Sequence, residues 1–283
     1  MSDRRFAVLG HPIGHTMSPY IHTKLFTLSG REDDYGVLDI TPDRLERAAG
    51  SVLTILNGYN VTIPYKQAII PFLDALDEKA ARYGSVNTVY CGEKTIGSTT
   101  DPDGLLMALH RANMPLSGRV VVLGAGGAAR VMAYEAALAG CDVTIAVRES
   151  GMQKARALCK EIAGKTDEAR VSMCALSEIE GDIDLMMNAT PVGMYPNTQE
   201  MPVGGKALSG VRCLFDSIYN PETTRLMEAA QANGTRVLGG MPMLVWQAAA
   251  AHRIWDNDQY DPRDIDALCA DATGEMNRRF AAR

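Results

Sequence analysis

Short apolar runs punctuated by glycine and proline organise this chain into alternating strands and helices. Phe6–Leu9 reads as a strand, followed by the loop GHPIGHTMSP and a helix over Tyr20–Leu28. Tyr35–Ile40 reads as the next strand, after which Thr41 is placed to N-cap a helix with Pro42 at its first position, running to about Ala49. Tyr59–Ile63 is a third strand, ended by Pro64. The charged amphipathic stretch Asp74–Tyr83 predicts a helix, and Ser85–Cys91 with Thr95–Ser98 predicts a hairpin across Gly92-Glu93-Lys94. A helix over Pro102–Asn113 then leads out of the first block.

From Val120 the pattern becomes a regular βα alternation. Strands are expected at Val120–Leu123, Asp142–Val147, Arg170–Cys174, Asp184–Asn188, Val211–Asp216 and Arg236–Leu238, the number and spacing of a doubly wound sheet. After Gly239-Gly240 two helical stretches follow, Met243–Trp255 and Pro262–Phe280. With no strands left to cover, they are expected to fold back on the first block. The fold class is therefore α/β in two domains. Residues 1–102 plus 241–283 form an α/β domain with a mostly parallel sheet, and residues 103–240 form a Rossmann-type domain.

The joint between the first expected Rossmann strand and its helix, VVVLGAGGAAR, carries the first chemical signal. Gly124 suits a tight turn, Gly126 lets a pyrophosphate approach bare backbone at a helix N-terminus, and Ala129 sits where helix and strand pack closely. It reads as a dinucleotide site, although alone it also fits an ordinary strand-to-helix turn.

Composition narrows the partners. A chain of 283 residues, 46% hydrophobic and 22% charged, is long enough for two globular domains. A net charge of −6 argues against a general nucleic-acid or membrane binder while leaving room for a local basic pocket. The six cysteines show no C-x-x-C spacing, and the start MSDRRFAVLG lacks a signal core. No run of about 18 apolar residues occurs. A cytoplasmic protein with reduced thiols and a small-molecule partner is expected. His11, His15, His22, His110 and His252 have no metal-ligand spacing, so no metal is expected; His15 is placed to border a pocket through its loop.

In the first block, Asn60 and Thr62 stand at a strand end, where open α/β sheets bind ligands, and Lys66 follows. A lysine held in a cleft can act as acid or base; a solvated surface lysine is the alternative. Asn87, in an otherwise apolar strand, needs a partner from backbone or ligand. Asp101 either faces a cleft as an acid or caps the helix that continues with Pro102.

Eight stretches together carry a resemblance: GHPIGHTMSP, NVTIPYK, GSVNT, TTD, GAGGAAR, NATPVGM (Asn188–Met194), FDSIYNPETT (Phe215–Thr224) and GMPMLVWQAA (Gly240–Ala249). Their types and order, across nearly the whole chain, resemble the shikimate dehydrogenase family. The resemblance implies an NADP-linked, in some members NAD-linked, dehydrogenase that interconverts shikimate and 3-dehydroshikimate in chorismate and aromatic amino acid biosynthesis. Some members use quinate.

By that resemblance Lys66 and Asp101 match the catalytic pair. Thr16 and Ser18, with Tyr219, match the substrate-carboxylate binders, and Asn60, Thr62, Asn87 and Gln247 the binders of ring hydroxyls. The cofactor is implied on Gly124, Ala125, Gly126, Gly127, Ala128, Arg148, Thr190 and Gly240. Arg148 follows the second Rossmann strand, where arginine favours the 2′-phosphate of NADP and an acid the 2′-hydroxyl of NAD; Glu149 beside it keeps NAD open. A homodimer is likewise left open. The chain departs from the family pattern at Thr16 (commonly Ser), Thr99 (Asn), Pro102 (Gly) and Val147 (Asn). Shikimate, quinate or an analogue therefore remain candidate substrates, and a catalytically idle cofactor-binding sensor is the alternative from another class.

Overall fold

Two six-stranded sheets carry the chain. The computed structural model describes residues 4–14, 16–166 and 169–280. Met1–Gly104 with Val245–Glu275 form one compact unit, and Leu105–Leu244 with Met276–Arg283 form the other. Among the described residues no helix is long and apolar enough to cross a membrane.

The first unit contains β1 (Arg5–Gly10), α1 (Ser18–Leu28), β2 (Asp34–Asp39), α2 (Leu45–Ala49), β3 (Gly58–Val61), β4 (Ala75–Leu76), α3 (Glu78–Tyr83), β5 (Thr88–Cys91) and β6 (Thr95–Ser98), and α4 (Asp101–Arg111) follows. Its strand order is β2-β1-β3-β5-β6-β4. Three of the five pairings are parallel, and the β3–β5–β6 meander is antiparallel. Central β1 is buried on both faces, so its apolar residues run without a polar break. Leu9 packs with Tyr59, Val61 and Tyr65 on one face, and Phe6 with Phe26, Ala251 and Trp255 on the other.

Three local expectations are corrected. Thr41 makes no side-chain cap; Pro42–Arg44 form a 3-10 turn before α2 begins. The third strand stops at Val61, because the Tyr65 amide bonds the Thr62 carbonyl at 2.9 Å and turns the chain. The helix expected from Asp74 starts only at Glu78. Before it, the Asp74 and Asp77 amides donate to the carbonyls of Thr95 and Gly97, drawing Ala75–Leu76 into the sheet as an edge strand. Asp77 then caps α3, its carboxylate accepting from the Ala80 amide at 2.7 Å.

The second unit runs β7 (Arg119–Leu123), α5 (Gly127–Leu138), β8 (Asp142–Val147), α6 (Met152–Lys165), β9 (Arg170–Ala175), β10 (Ile183–Asn188), α7 (Gly205–Leu208), β11 (Val211–Asp216), α8 (Arg225–Ala232) and β12 (Arg236–Leu238), followed by α9 (Met241–Asp256) and α10 (Pro262–Phe280). The order β12-β11-β10-β7-β8-β9 is parallel throughout. Counted from β7 it is the 3-2-1-4-5-6 arrangement of dinucleotide-binding folds, with its switch point between β7 and β10. Val121, Leu123, Met186 and Leu214 from its central strands pack with Leu208 and Leu226 from covering helices.

Candidate active site

Lys66 and Asp101 meet in the first unit, with Lys66 Nζ 2.6 Å from Asp101 Oδ2. The approach follows from the sheet. The Val86 amide donates to the Lys66 carbonyl at 2.7 Å, tying the turn after β3 to the start of the hairpin, and the Asn87 amide donates to the Ser98 carbonyl at 3.1 Å. Lys66, Asn87 and the β6–α4 junction are thereby held at one sheet end. The Lys66 side chain is 25% exposed and that of Asp101 10%, so the ion pair is shielded without being sealed. A charge-assisted contact of this length is short and directional.

The Asn87 amide meets protein groups on both of its polar atoms. Its Nδ2 has three acceptors within reach of its two N–H groups: Asp101 Oδ1 at 2.9 Å, Thr100 Oγ1 at 3.0 Å and Gln247 Oε1 at 3.2 Å. Its Oδ1 accepts from the Thr100 amide at 2.8 Å and from Thr88 Oγ1 at 3.0 Å. An amide offers two N–H donors and two lone pairs, so Asn87 is fully engaged. Asp101 opens α4, yet both of its oxygens are taken by side chains: Lys66 on one, Asn87 on the other.

The remaining polar residues of this unit fall into two groups. Thr16 Oγ1 donates to Ser18 Oγ at 3.1 Å and accepts from the Ser18 amide, setting two hydroxyls side by side at the start of α1. Asn60, on β3, donates through Nδ2 to the Asn87 carbonyl at 3.2 Å and to Thr88 Oγ1 at 3.1 Å, and it accepts from Tyr35. Thr62 follows β3 with its amide on the Leu9 carbonyl. His15 lies outside the described residues. Tyr35 was not among the residues singled out from the sequence; one tyrosine on an edge strand carries no signal there.

In the second unit, β7 runs into Gly124, whose φ of +106° suits glycine and where an added Cβ would come within 3.1 Å of Thr190 Cγ2. Gly126 is the N-cap of α5, so the first amides of that helix have no partners within it. A pocket of about 320 Å³ lies at this turn, lined by Gly124, Ala125, Gly126, Thr190 and, from the end of β8 onward, Arg148, Ser150 and Lys154. Neither Arg148 nor Lys154 forms an ion pair among the described residues. Gly127 and Ala128 form the first turn of α5 outside the lining. Gly240 is also outside it. A Cβ there would meet the Ser217 carbonyl oxygen at 2.2 Å, so backbone packing before α9 demands glycine.

A buried carboxylate, also missed from the sequence, braces this pocket. Asp216 Oδ1 accepts from Asn188 Nδ2 at 3.0 Å and from the Ile218 amide at 3.1 Å, and Oδ2 accepts from Thr224 Oγ1 at 2.7 Å. Asn188 Oδ1 in turn accepts from the Thr190 amide and hydroxyl at 3.0 and 2.8 Å. Burial raises the Asp216 carboxyl above its ordinary value, opposed by these hydrogen bonds. Tyr219 stands on the turn beyond, its phenol raised by burial.

These features define an α/β protein with a dinucleotide-type parallel sheet in one unit and a partly buried lysine–aspartate pair in the other. Among the described residues no group of His, Cys, Asp and Glu is placed to hold a metal ion. Residues 8–89 match the family model of the shikimate dehydrogenase substrate binding domain. The chain is 36% identical to shikimate dehydrogenase (NADP(+)) of Moorella thermoacetica over 98% of this chain and 96% of that one. It superposes with a TM-score of 0.82 and 34% identity on shikimate 5-dehydrogenase from Thermus thermophilus in complex with NADP(H) and shikimate, covering 95% and 99% of the two chains. A ligand-free 5-ketofructose reductase of Gluconobacter sp. strain CHM43 gives a TM-score of 0.83 at 31% identity, covering 97% and 99%. The chain belongs to the shikimate dehydrogenase family.

Proposed function

We infer that this protein is an NADP-linked dehydrogenase that interconverts shikimate and 3-dehydroshikimate. The observation that carries the reading is the 2.6 Å contact between Lys66 Nζ and Asp101 Oδ2, found in a chain so similar to the Moorella enzyme and the shikimate-bound Thermus enzyme. Oxidising a secondary alcohol removes a hydride from carbon and a proton from oxygen, so the site needs a proton carrier at the hydroxyl. As an amine, Lys66 takes that proton; as an ammonium, it returns it to the carbonyl oxygen in the reverse direction. Asp101, itself fixed by Asn87, holds Nζ in place and offsets the charge Lys66 gains.

NADP, when bound, supplies the hydride acceptor or donor. The second unit fits it. The Gly124–Gly126 turn and the unpartnered amides of α5, including those of Gly127 and Ala128, offer backbone donors to a diphosphate. Arg148, Ser150 and Lys154 offer two cations and a hydroxyl to the ribose phosphate. Glu149 is exposed and does not line the pocket, which favours NADP over NAD. Thr190 lines the pocket beside Gly124, and Gly240 acts at a distance by letting the backbone before α9 close on Ser217.

On the substrate, Thr16, Ser18 and Tyr219 are assigned to the carboxylate, and Asn60, Thr62 and Gln247 to ring hydroxyls. Asn87 reaches a hydroxyl only by releasing a protein partner, so its first role is to hold Asp101. A cytoplasmic setting is part of the proposal, supported by six cysteines that are all unpaired thiols. Sedimentation distinguishes the monomer from a homodimer.

The test is a matrix of kcat/KM for shikimate and quinate, each with NADP and NAD. The largest value is expected for shikimate with NADP. Quinate with NAD as the preferred pair would replace the substrate and cofactor assignments together. Cofactor binding with no oxidation of either acid would mark an idle sensor.

A further inference from the structure

We propose that Tyr35 is a positioning residue, its hydroxyl orienting Asn60 so that the amide presents only a hydrogen-bond acceptor to the substrate. The proposal rests on the assignment of Asn60 to a substrate hydroxyl made above.

The sheet register brings the two side chains together. Tyr35 on β2 pairs with Phe6 on β1, and Phe6 pairs with Gly58 on β3. Asn60, two residues beyond Gly58, shares that face of the sheet. Tyr35 Oη lies 2.6 Å from Asn60 Oδ1. The orientation of the amide is fixed independently by the Asn87 backbone carbonyl 3.2 Å from Nδ2, because a carbonyl accepts and never donates. Oxygen therefore faces Tyr35, and Tyr35 must be the donor. Both Asn60 N–H groups are committed, to the Asn87 carbonyl and to Thr88 Oγ1. One lone pair on Oδ1 is what remains. A substrate group at this position has to donate, as a hydroxyl does; a carbonyl or ether oxygen there meets a second acceptor.

Tyr35 is itself braced from behind. Its ring stacks on His22 with centroids 4.1 Å apart and planes within 4°. His22 Nδ1 lies 3.0 Å from His252 Nε2, and His252 Nδ1 lies 2.9 Å from Tyr260 Oη. Tyr260 Oη also reaches the Leu25 carbonyl and Asp258 at 3.1 Å, and Asp258 pairs with Arg31. Both histidines are fully buried. Burial, and secondarily His252, holds His22 well below the ordinary imidazole range, and burial keeps the Tyr35 phenol well above its own. A neutral imidazole thus backs a protonated phenol, the form that donates.

Steady-state kinetics with shikimate varied at saturating NADP test the proposal. Tyr35→Phe keeps the stack and removes the donor. It is expected to raise the shikimate KM about tenfold with kcat within about twofold and the NADP KM unmoved. In an Asn60→Ala background the same substitution is expected to add less than about twofold, since nothing is left to orient. Asn60→Asp, which sets an oxygen against the Asn87 carbonyl, tests the orientation without touching Tyr35 and is also expected to raise the shikimate KM about tenfold. An unmoved KM in Tyr35→Phe or in Asn60→Asp, or a tenfold effect of Tyr35→Phe that persists without Asn60, overturns the proposal while leaving the reaction assignment intact. A normal KM in Asn60→Ala overturns the substrate contact itself, and this proposal with it.

Discussion

The two units treat their functional charges in opposite ways. In the first, Lys66 is matched by Asp101, and Asp101 is matched again by Asn87, so every charge has a protein partner at hydrogen-bond distance. In the second, Arg148 and Lys154 line a pocket with no acidic partner among the described residues. The contrast separates two tasks. A group that must move a proton repeatedly is held by neighbours that stay when the substrate leaves. Groups that bind an anion are left for the anion to satisfy, because a prior internal partner would have to be displaced at binding.

Substitutions in each unit separate these two tasks. Asp101→Asn keeps the shape of the side chain but removes the charge beside Lys66; kcat is expected to fall about 100-fold with KM for NADP unchanged, and steady-state kinetics check it. Unchanged kcat would make the pairing structural. Lys154→Ala should raise the KM for NADP about tenfold or more and leave that for NAD within about twofold, the scale of one hydrogen bond to a charged group. Equal effects on both cofactors would place Lys154 away from the distinguishing phosphate.

Asp216→Ala strips three donors of their acceptor, and buried donors left unsatisfied cost about 1–3 kcal/mol each before relaxation. Thermal unfolding should show the loss, with weaker NADP binding because Asn188 no longer holds Thr190 still.

The smallest expected effect concerns pH. His22 and His252 are lowered by burial, with Asp258 opposing the shift at His252. Both are therefore neutral in the fold and free to protonate when unfolded. Their contribution to stability is complete above the unfolded imidazole value of about 6.5 and is lost as pH falls below it. Unfolding temperatures measured from pH 8 to 5 should decline below about pH 6.5, and His252→Phe should flatten that decline. A curve of the same shape in the variant would assign the decline to other groups.

Legibility differed between the units for a physical reason. The central strands of the parallel sheet could be read because they are buried, nearly continuous apolar runs closed by glycine or asparagine, as in VVVLG and LMMN, and the outer ones by their regular spacing between helices. In the mixed sheet, β4 escaped: Ala75-Leu76 sits in a charged, helix-like stretch and becomes a strand only through Thr95 and Gly97, some twenty residues away. The candidate site divides in the same way. Lys66 and Asp101 were legible as residue types, and their pairing as a resemblance to a family, but not from a spacing of 35 residues. Tyr35, His22 and His252 converge from distant segments and carried no signal. The glycine turn was visible because its chemistry is local, and Arg148 because it ends a strand.

The most direct test of the account is the kcat of Lys66→Ala for shikimate with NADP, read beside its NADP affinity and unfolding temperature. If Lys66 carries the proton, kcat falls at least about 100-fold with the other two retained. A kcat within about threefold of the parent enzyme would remove Lys66 from proton transfer and contradict it.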